Sequence, residues 1–192
     1  MIPALPIPVI ETERLILRAP VAKDLAPYAA FCATPRSQFV GGPMDEIDAW
    51  KNLCAVAGQW VIRGYGRWVV TTKGDDTALG LVGLHHPADW PEAEIGWTLF
   101  EGAEGKGYAA EAAHAARFYA YEHLGWPGIV SLIAPENLRS IALGRKMGAQ
   151  LDGVFAHPKF GPLEIWRHPG PTSIGENRQQ PDTPIINLRR PA

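Results

Sequence analysis

The segment Glu101-Gly-Ala-Glu-Gly-Lys-Gly-Tyr-Ala-Ala-Glu-Ala112 holds three glycines within six residues. It lies between a strand-like run, Glu94 to Phe100, and a helical run that begins at Tyr108. Glycine lets a backbone turn sharply and come close to a ligand. The helix that follows points unpaired N–H groups and the positive end of its dipole back into the loop. Together these form an anion site suited to a pyrophosphate, and Lys106 adds a mobile cation. The glycines alone are also compatible with an ordinary tight turn. A Walker loop is excluded, because Gly105-Lys106 is followed by Gly107 and not by Ser or Thr. A dinucleotide fingerprint does not fit either, because no strand–helix–strand unit opens the chain.

Working outward, the preceding segments read as an antiparallel meander: Arg67–Lys73, Ala78–Leu84 and Glu94–Phe100. Before them come a strand at Arg14–Arg18 and two helices. The first helix is expected to be capped by Asp24, with Leu25, Tyr28, Ala29 and Cys32 on one face. The second is expected to start at Gly42-Pro43, with an apolar stripe of Ile47, Trp50, Leu53, Ala57 and Trp60. After the loop, an alanine-rich helix runs to about Leu124, small enough in its side chains to lie close to a sheet. A buried strand follows at Ile129–Ala134. Asn137 caps a last helix that stops at Gly148, and a hairpin over 151–168 ends the pattern. The expected organisation is an irregular lead-in over 1–9, one domain over 10–168 and a Pro-rich tail over 169–192. Pro184-Ile-Ile-Asn-Leu188 is the one apolar stretch of that tail. It is long enough to lie along a groove or strand edge of its own domain or of a second copy.

Composition narrows the function. The chain has 192 residues, enough for one domain with a proper core. With 18 basic and 20 acidic side chains its net charge is -2, which argues against non-specific nucleic-acid binding. Two cysteines, Cys32 and Cys54, cannot make a disulfide framework and read as small buried hydrophobes. No apolar run approaches a membrane span, and the N-terminus is a poor signal peptide. The expectation is a cytoplasmic protein, monomer or homodimer, with no nucleic-acid or membrane partner.

The glycine segment resembles the acetyl-CoA loop of the GCN5-related N-acetyltransferases (GNAT), whose pattern Q/R-x-x-G-x-G/A falls on Glu104, Gly107 and Ala109. The run is most similar to the ribosomal-protein N-acetyltransferase branch, the RimJ/RimL type. Thr12-Glu-Arg-Leu-Ile-Leu-Arg18 resembles that branch's opening strand, and Glu94-Ile-Gly-Trp97 the strand before the loop. Asn137-Leu-Arg-Ser140 with Lys146-Met-Gly148 resembles its last-helix motif. The resemblance implies an α/β (α+β) GNAT fold, a mixed and mostly antiparallel sheet of about seven strands flanked by helices. It implies acetyl transfer from acetyl-CoA to a primary amine, a small molecule or a protein N-terminus, with no metal. A non-catalytic acyl-CoA-binding module of the same fold is the alternative. Three positions depart from the family pattern. Glu104 replaces Arg or Gln, and a carboxylate there is expected to turn away from a pyrophosphate. Gly144 stands where many members carry a tyrosine acid, and Ala149 replaces an aromatic residue.

The resemblance places acetyl-CoA against Trp97, Leu99, Glu104, Gly105, Lys106, Gly107, Tyr108, Ala109, Asn137 and Ser140. It also implies a bulge near Trp97–Leu99 that offers a backbone N–H to the thioester carbonyl. Such a transfer needs a base for the amine, a donor at the carbonyl and a donor at the leaving sulfur. Ser140 is the candidate donor to sulfur, and an ordinary first-turn serine otherwise. Glu94 is the candidate base, with Glu92 its neighbour on the same pleat. His85 and His86 are adjacent on a strand, point to opposite faces and cannot share one metal. One of Trp68, Trp90 and Trp97 is expected to touch the acceptor. The two-helix segment 24–63 and the hairpin turn 156–163 are expected to select it.

Overall fold

The computed structural model describes residues 7–171 and the backbone of 187–189. Its elements are β1 (Val9–Glu11), β2 (Leu15–Arg18), α1 (Leu25–Cys32), α2 (Glu46–Arg63), β3 (Arg67–Thr72), β4 (Asp75–His85), β5 (Glu94–Leu99), α3 (Tyr108–Glu122), β6 (Val130–Ile133), α4 (Leu138–Lys146), β7 (Gln150–His157), β8 (Gly161–Arg167) and β9 (Asn187–Arg189). They form one nine-stranded sheet in the order β7-β8-β6-β5-β4-β3-β2-β1-β9. Every neighbouring pair is antiparallel except β5 and β6. The mixed sheet flanked by helices is as expected, but it holds nine strands, not about seven. The additional strands are β1, across the expected boundary between lead-in and domain, and β9, from the tail. Each is three residues long, too short to show an alternating pattern, and forms by adding to an exposed edge. Leu188 pairs with Ile10. Pro184, Ile185 and Ile186 of the apolar tail stretch lie outside the described residues.

The sheet has a helix layer on each face. On one, the alanines of α3 let the helix sink onto the strands: Ala112, Ala113, Ala115, Ala116 and Ala120 are fully buried against Trp68, Val82, Leu84 and Ile95. On the other, α1 and α2 bring Tyr28, Phe31, Leu53 and Val56 onto Val69, Leu81 and Phe100. Two sequence expectations change here. Asp24 does not cap α1 with its side chain; the carboxylate instead pairs with Arg18 and accepts the Val21 N–H, so charge pairing outcompetes the cap. In α2 the cap is Asp45, which accepts the Asp48 N–H, and the buried stripe is Ala49, Leu53, Val56 and Trp60. Ile47 and Trp50 stay exposed, Ile47 nearly half a turn round from that stripe and Trp50 about a quarter turn. Cys32 is buried, but Cys54 is exposed on the same outer side of α2.

Candidate active site

The decisive local event is the separation of β5 from β6. The two strands run parallel but share a single registered pair, Glu94 with Val130. Beyond it, side chains take over the ladder. The Glu94 carboxylate accepts the Leu132 N–H at 2.9 Å, and the Ser131 hydroxyl donates to the Ile95 carbonyl at 2.7 Å. A sheet opened in this way would leave buried backbone groups unpaired, and these two residues satisfy them. The register of β5 on β4 runs unbroken from Glu94 to Leu99, with no bulge near Trp97. None is needed. The Ile95 and Leu99 carbonyls both point into the gap, toward Ser131 and Arg36. By strand alternation the backbone groups of Trp97 point there too.

The glycine loop closes one end of the gap. Gly102, Gly105 and Gly107 all have positive φ, and Gly107 is the residue before the first turn of α3. A Cβ at Gly102 or Gly105 would meet nothing within 4 Å, so open space surrounds the turn. The loop is fastened from behind by residues 12–14. Glu111 accepts hydrogen bonds from the Thr12 hydroxyl (2.5 Å), the Arg14 N–H (2.8 Å) and the Arg14 side chain (2.6 Å). Arg14 also donates to the Lys106 carbonyl at 2.9 Å and lies 5.0 Å over the Tyr108 ring. Ala109 continues the first turn of α3. Glu104 does not stand alone: it pairs with Arg36 at 2.6 Å and Arg139 at 3.1 Å, so two guanidiniums gather at the loop. Open space, positive-φ turns and a helix start together fit a diphosphate chain.

At the other end lies a cavity of about 1160 Å³. Its wall includes Glu94, Trp97, Asn137 and Ser140, together with Trp90, Arg67, His85 and Ser131. The segments expected to select the acceptor also contribute, among them Met44 and Gln59 from the first and Phe160 from the second. Asn137 caps α4 by accepting the Ser140 N–H at 3.2 Å. The Trp97 indole donates to the Ser140 oxygen at 3.2 Å, which leaves the hydroxyl hydrogen free to donate elsewhere. Glu94 is buried, and burial pushes its carboxyl up to about 7. The Leu132 N–H, the Trp90 indole and Arg67 pull in the opposite direction. A carboxyl with that proton affinity can exchange a proton near neutral pH. Trp90 Nε1 itself reaches no hydrogen-bond partner among the described residues.

The other candidates are accounted for. Glu92 is held by Arg167 at 2.9 Å on the surface. Trp68 is wholly buried in the core, while Trp90 and Trp97 line the cavity. His85 contacts the Gln59 side-chain oxygen at 3.1 Å, and burial keeps its imidazole far below the ordinary value, hence neutral. His168 is likewise buried and neutral, between Ser131 and Arg117. The residue at the expected tyrosine position, Gly144, is buried; a Cβ there would touch Ile133 at 3.7 Å. Among the described residues no group of three His, Cys, Asp or Glu is placed to hold a metal ion, and no helix is long and apolar enough to cross a membrane. Sequence reasoning missed Arg67 and the Thr12–Arg14–Glu111 clamp. Only the clamp had a signal, in the Thr12-Glu-Arg14 run.

A splayed sheet, a glycine loop at a helix start and a cavity behind the splay mark a class of α+β protein. Comparison with known proteins gives the class its name. A family model described as an acetyltransferase (GNAT) domain matches residues 14–150. The chain resembles an acetyltransferase of Agrobacterium tumefaciens str. C58 whose crystal structure is known. The two are 38% identical, the match covers 84% of this chain and 94% of that one, and the TM-score is 0.78. The uncharacterized N-acetyltransferase YoaA of Bacillus subtilis is 28% identical over 152 residues, 77% of this chain and 86% of the relative. A second B. subtilis relative, the uncharacterized N-acetyltransferase YnaD, is 28% identical over 89 residues; that match takes in 46% of this chain and about half, 52%, of the relative. The chain belongs to the acetyltransferase (GNAT) family and is an acetyl-CoA-dependent N-acetyltransferase.

Proposed function

We propose that the chain transfers acetyl directly to a primary amine, a small molecule or a protein N-terminus, and that it does so in the cytoplasm. The observation that carries this reading is one cavity whose wall holds both a carboxyl near neutral proton affinity, Glu94, and a hydroxyl with its hydrogen free, Ser140. Acetyl-CoA supplies the activated acyl group as a thioester. Gly105, Gly107, Tyr108 and Ala109 offer backbone N–H groups to its diphosphate, with Lys106 and the arginines at Glu104 as cations. Asn137 faces the pantetheine arm. The Trp97 and Leu99 N–H groups, turned into the gap, polarise the thioester carbonyl. Glu94 takes the proton from the incoming ammonium, and Ser140 donates to the leaving sulfur. Two free cysteines, Cys32 and Cys54, are consistent with a reducing compartment.

The test is a screen of amines and N-terminal peptides for release of coenzyme A thiol. Thiol release that depends on both acetyl-CoA and an amine, with the acetyl found on nitrogen by mass spectrometry, supports the reading. A protein that binds acetyl-CoA yet acetylates no amine in the screen overturns it.

A further inference from the structure

We propose that the acceptor carries a carboxylate a few bonds from its amine, and that Arg67 is the residue that holds it. This rests on the acceptor cavity assigned above and deepens that assignment. The argument starts from register. Arg67 opens β3 opposite Gly83 of β4, and Gly83 lies opposite Gly96 of β5. By alternation Arg67 and Gly96 face the side covered by α1 and α2, the side of Val69 and Leu81, while Gly83, with φ of +146°, turns toward β3 itself. His85 and Glu94, the next pair along, share that face. The arginine is therefore followed across the sheet by two residues without side chains. A Cβ at Gly96 would meet only the Glu94 carboxylate, at 3.8 Å, so the strip above it is open. Gly83 admits no side chain at all, since a Cβ would strike the Trp68 ring at 2.7 Å and the Gly66 carbonyl at 2.8 Å. The result is a bare floor with a guanidinium at one end and the candidate base beside it.

Charge completes the case. The other charged residues of the cavity wall, Asp48, Lys51, Arg63, Asp89, Glu136 and Lys159, are all exposed at its mouth. Arg67 and Glu94 are the charges of its floor, and each feels the other's field. Among the described residues the Arg67 side chain makes no hydrogen bond and no ion pair, although burial disfavours its charge. The side chain is half-buried, and its five donors face the open cavity, where a ligand can take them up. A carboxylate does so in a two-pronged geometry that an amide or hydroxyl cannot match. One zwitterionic amine would satisfy both charges at once, its ammonium on Glu94 and its carboxylate on Arg67. Glu94 leaves one oxygen for that purpose, the other being held by the Leu132 N–H.

The experiment compares kcat/KM for α-, β- and γ-amino acids with that for their primary amides and their decarboxylated amines, using the full chain. The best carboxylate-bearing acceptor is expected to exceed its amide by about 10²-fold, the usual discrimination when a charged hydrogen-bond partner goes unmet. Arg67→Met should shrink that ratio to within about threefold, and Arg67→Lys should leave it intermediate. Acetyl-CoA affinity measured by calorimetry confirms that each variant is folded. Peptides with an N-terminal Asp or Glu form a second arm; if they surpass the free amino acids, the carboxylate is that of a side chain on a protein N-terminus. Equal rates for acids and amides, or a preference that survives Arg67→Met, overturn the proposal while leaving acetyl transfer standing. Binding of acetyl-CoA with no transfer to any amine overturns both.

Discussion

The coenzyme loop is one unbroken run, Glu101 to Ala109, whereas the acceptor cavity draws its floor from three strands and its walls from α2, α4 and the turn of the β7–β8 hairpin. The loop is proposed to work through backbone groups, which glycine torsions and the Arg14–Glu111 clamp hold in place. The cavity is proposed to work through side chains, two of them charged, the buried Glu94 and the half-buried Arg67. A backbone site is sensitive to shape and only weakly sensitive to charge changes nearby. A side-chain site is sensitive to single charges and to pH. Each half can therefore be broken by a different kind of substitution.

The largest effect belongs to the loop. Gly107 has φ of +80°, and a Cβ there would stand 3.3 Å from the Arg14 guanidinium. Gly107→Val places a branched side chain in a conformation such residues rarely adopt, and pushes on the clamp. Acetyl-CoA binding should fall by about 10²-fold or more, beyond calorimetric detection, while the thermal melt stays cooperative. Normal affinity would mean that this loop is not the diphosphate site.

The cavity comes next. Glu94→Gln should lower kcat/KM by about 10²–10⁴-fold, the usual reach of a general base. In the parent protein kcat/KM should rise with pH through about 7, as Glu94 loses its proton. The variant should lack that limb, and an unaltered profile would move the base elsewhere. Stability gives an independent reading. Folding raises the Glu94 carboxyl from its ordinary 4.5 to about 7. Its protonated form is thus favoured in the folded state, and the resulting stabilisation is complete below about pH 4.5 and lost as pH rises through 7. Glu94→Gln, which cannot ionise, should gain on the parent over that interval by on the order of 3 kcal/mol, seen as a melting-temperature difference that changes with pH. Ser140→Ala should lower kcat by about 10²-fold with little change in KM for acetyl-CoA. An equal rise in KM would make Ser140 a binding residue instead.

The same contrast explains what the amino-acid sequence revealed. A loop site is contiguous, so Gly105-Lys-Gly-Tyr-Ala109 and the helix after it could be read directly, along with the meander that precedes them. Glu94 and Ser140 were reached only because short motifs around them resemble a family. Arg67 was invisible: it matters because of Gly83 and Gly96, which lie beside it only through strand register, and register is not written locally. The short strands β1 and β9 were missed for a related reason, since three residues carry no period. Ile47 and Trp50 misled because an apolar residue on a helix does not say which face the sheet will cover. The two arginines on Glu104 come from distant positions, 36 and 139, and no spacing rule joins them.

Glu104 offers the smallest effect and the sharpest test of the backbone half. On sequence alone a carboxylate beside a diphosphate is repulsive. In the folded protein it is met by Arg36 and Arg139, so one negative and two positive charges leave the cluster net positive by one. Arg139 is 80% exposed, and such surface pairs contribute little to stability. Glu104→Gln leaves both guanidiniums and raises the local charge by one unit. At about 10 Å in a watery environment one charge alters binding by roughly twofold. Acetyl-CoA should therefore bind about two- to threefold tighter at low salt, and the gain should vanish by about 0.5 M salt, where screening reaches a few ångströms. Calorimetric titration at the two salt concentrations measures this. A tenfold loss of affinity at both would show that the Glu104 bridge positions the loop, and that the coenzyme half depends on side chains as much as the acceptor half does.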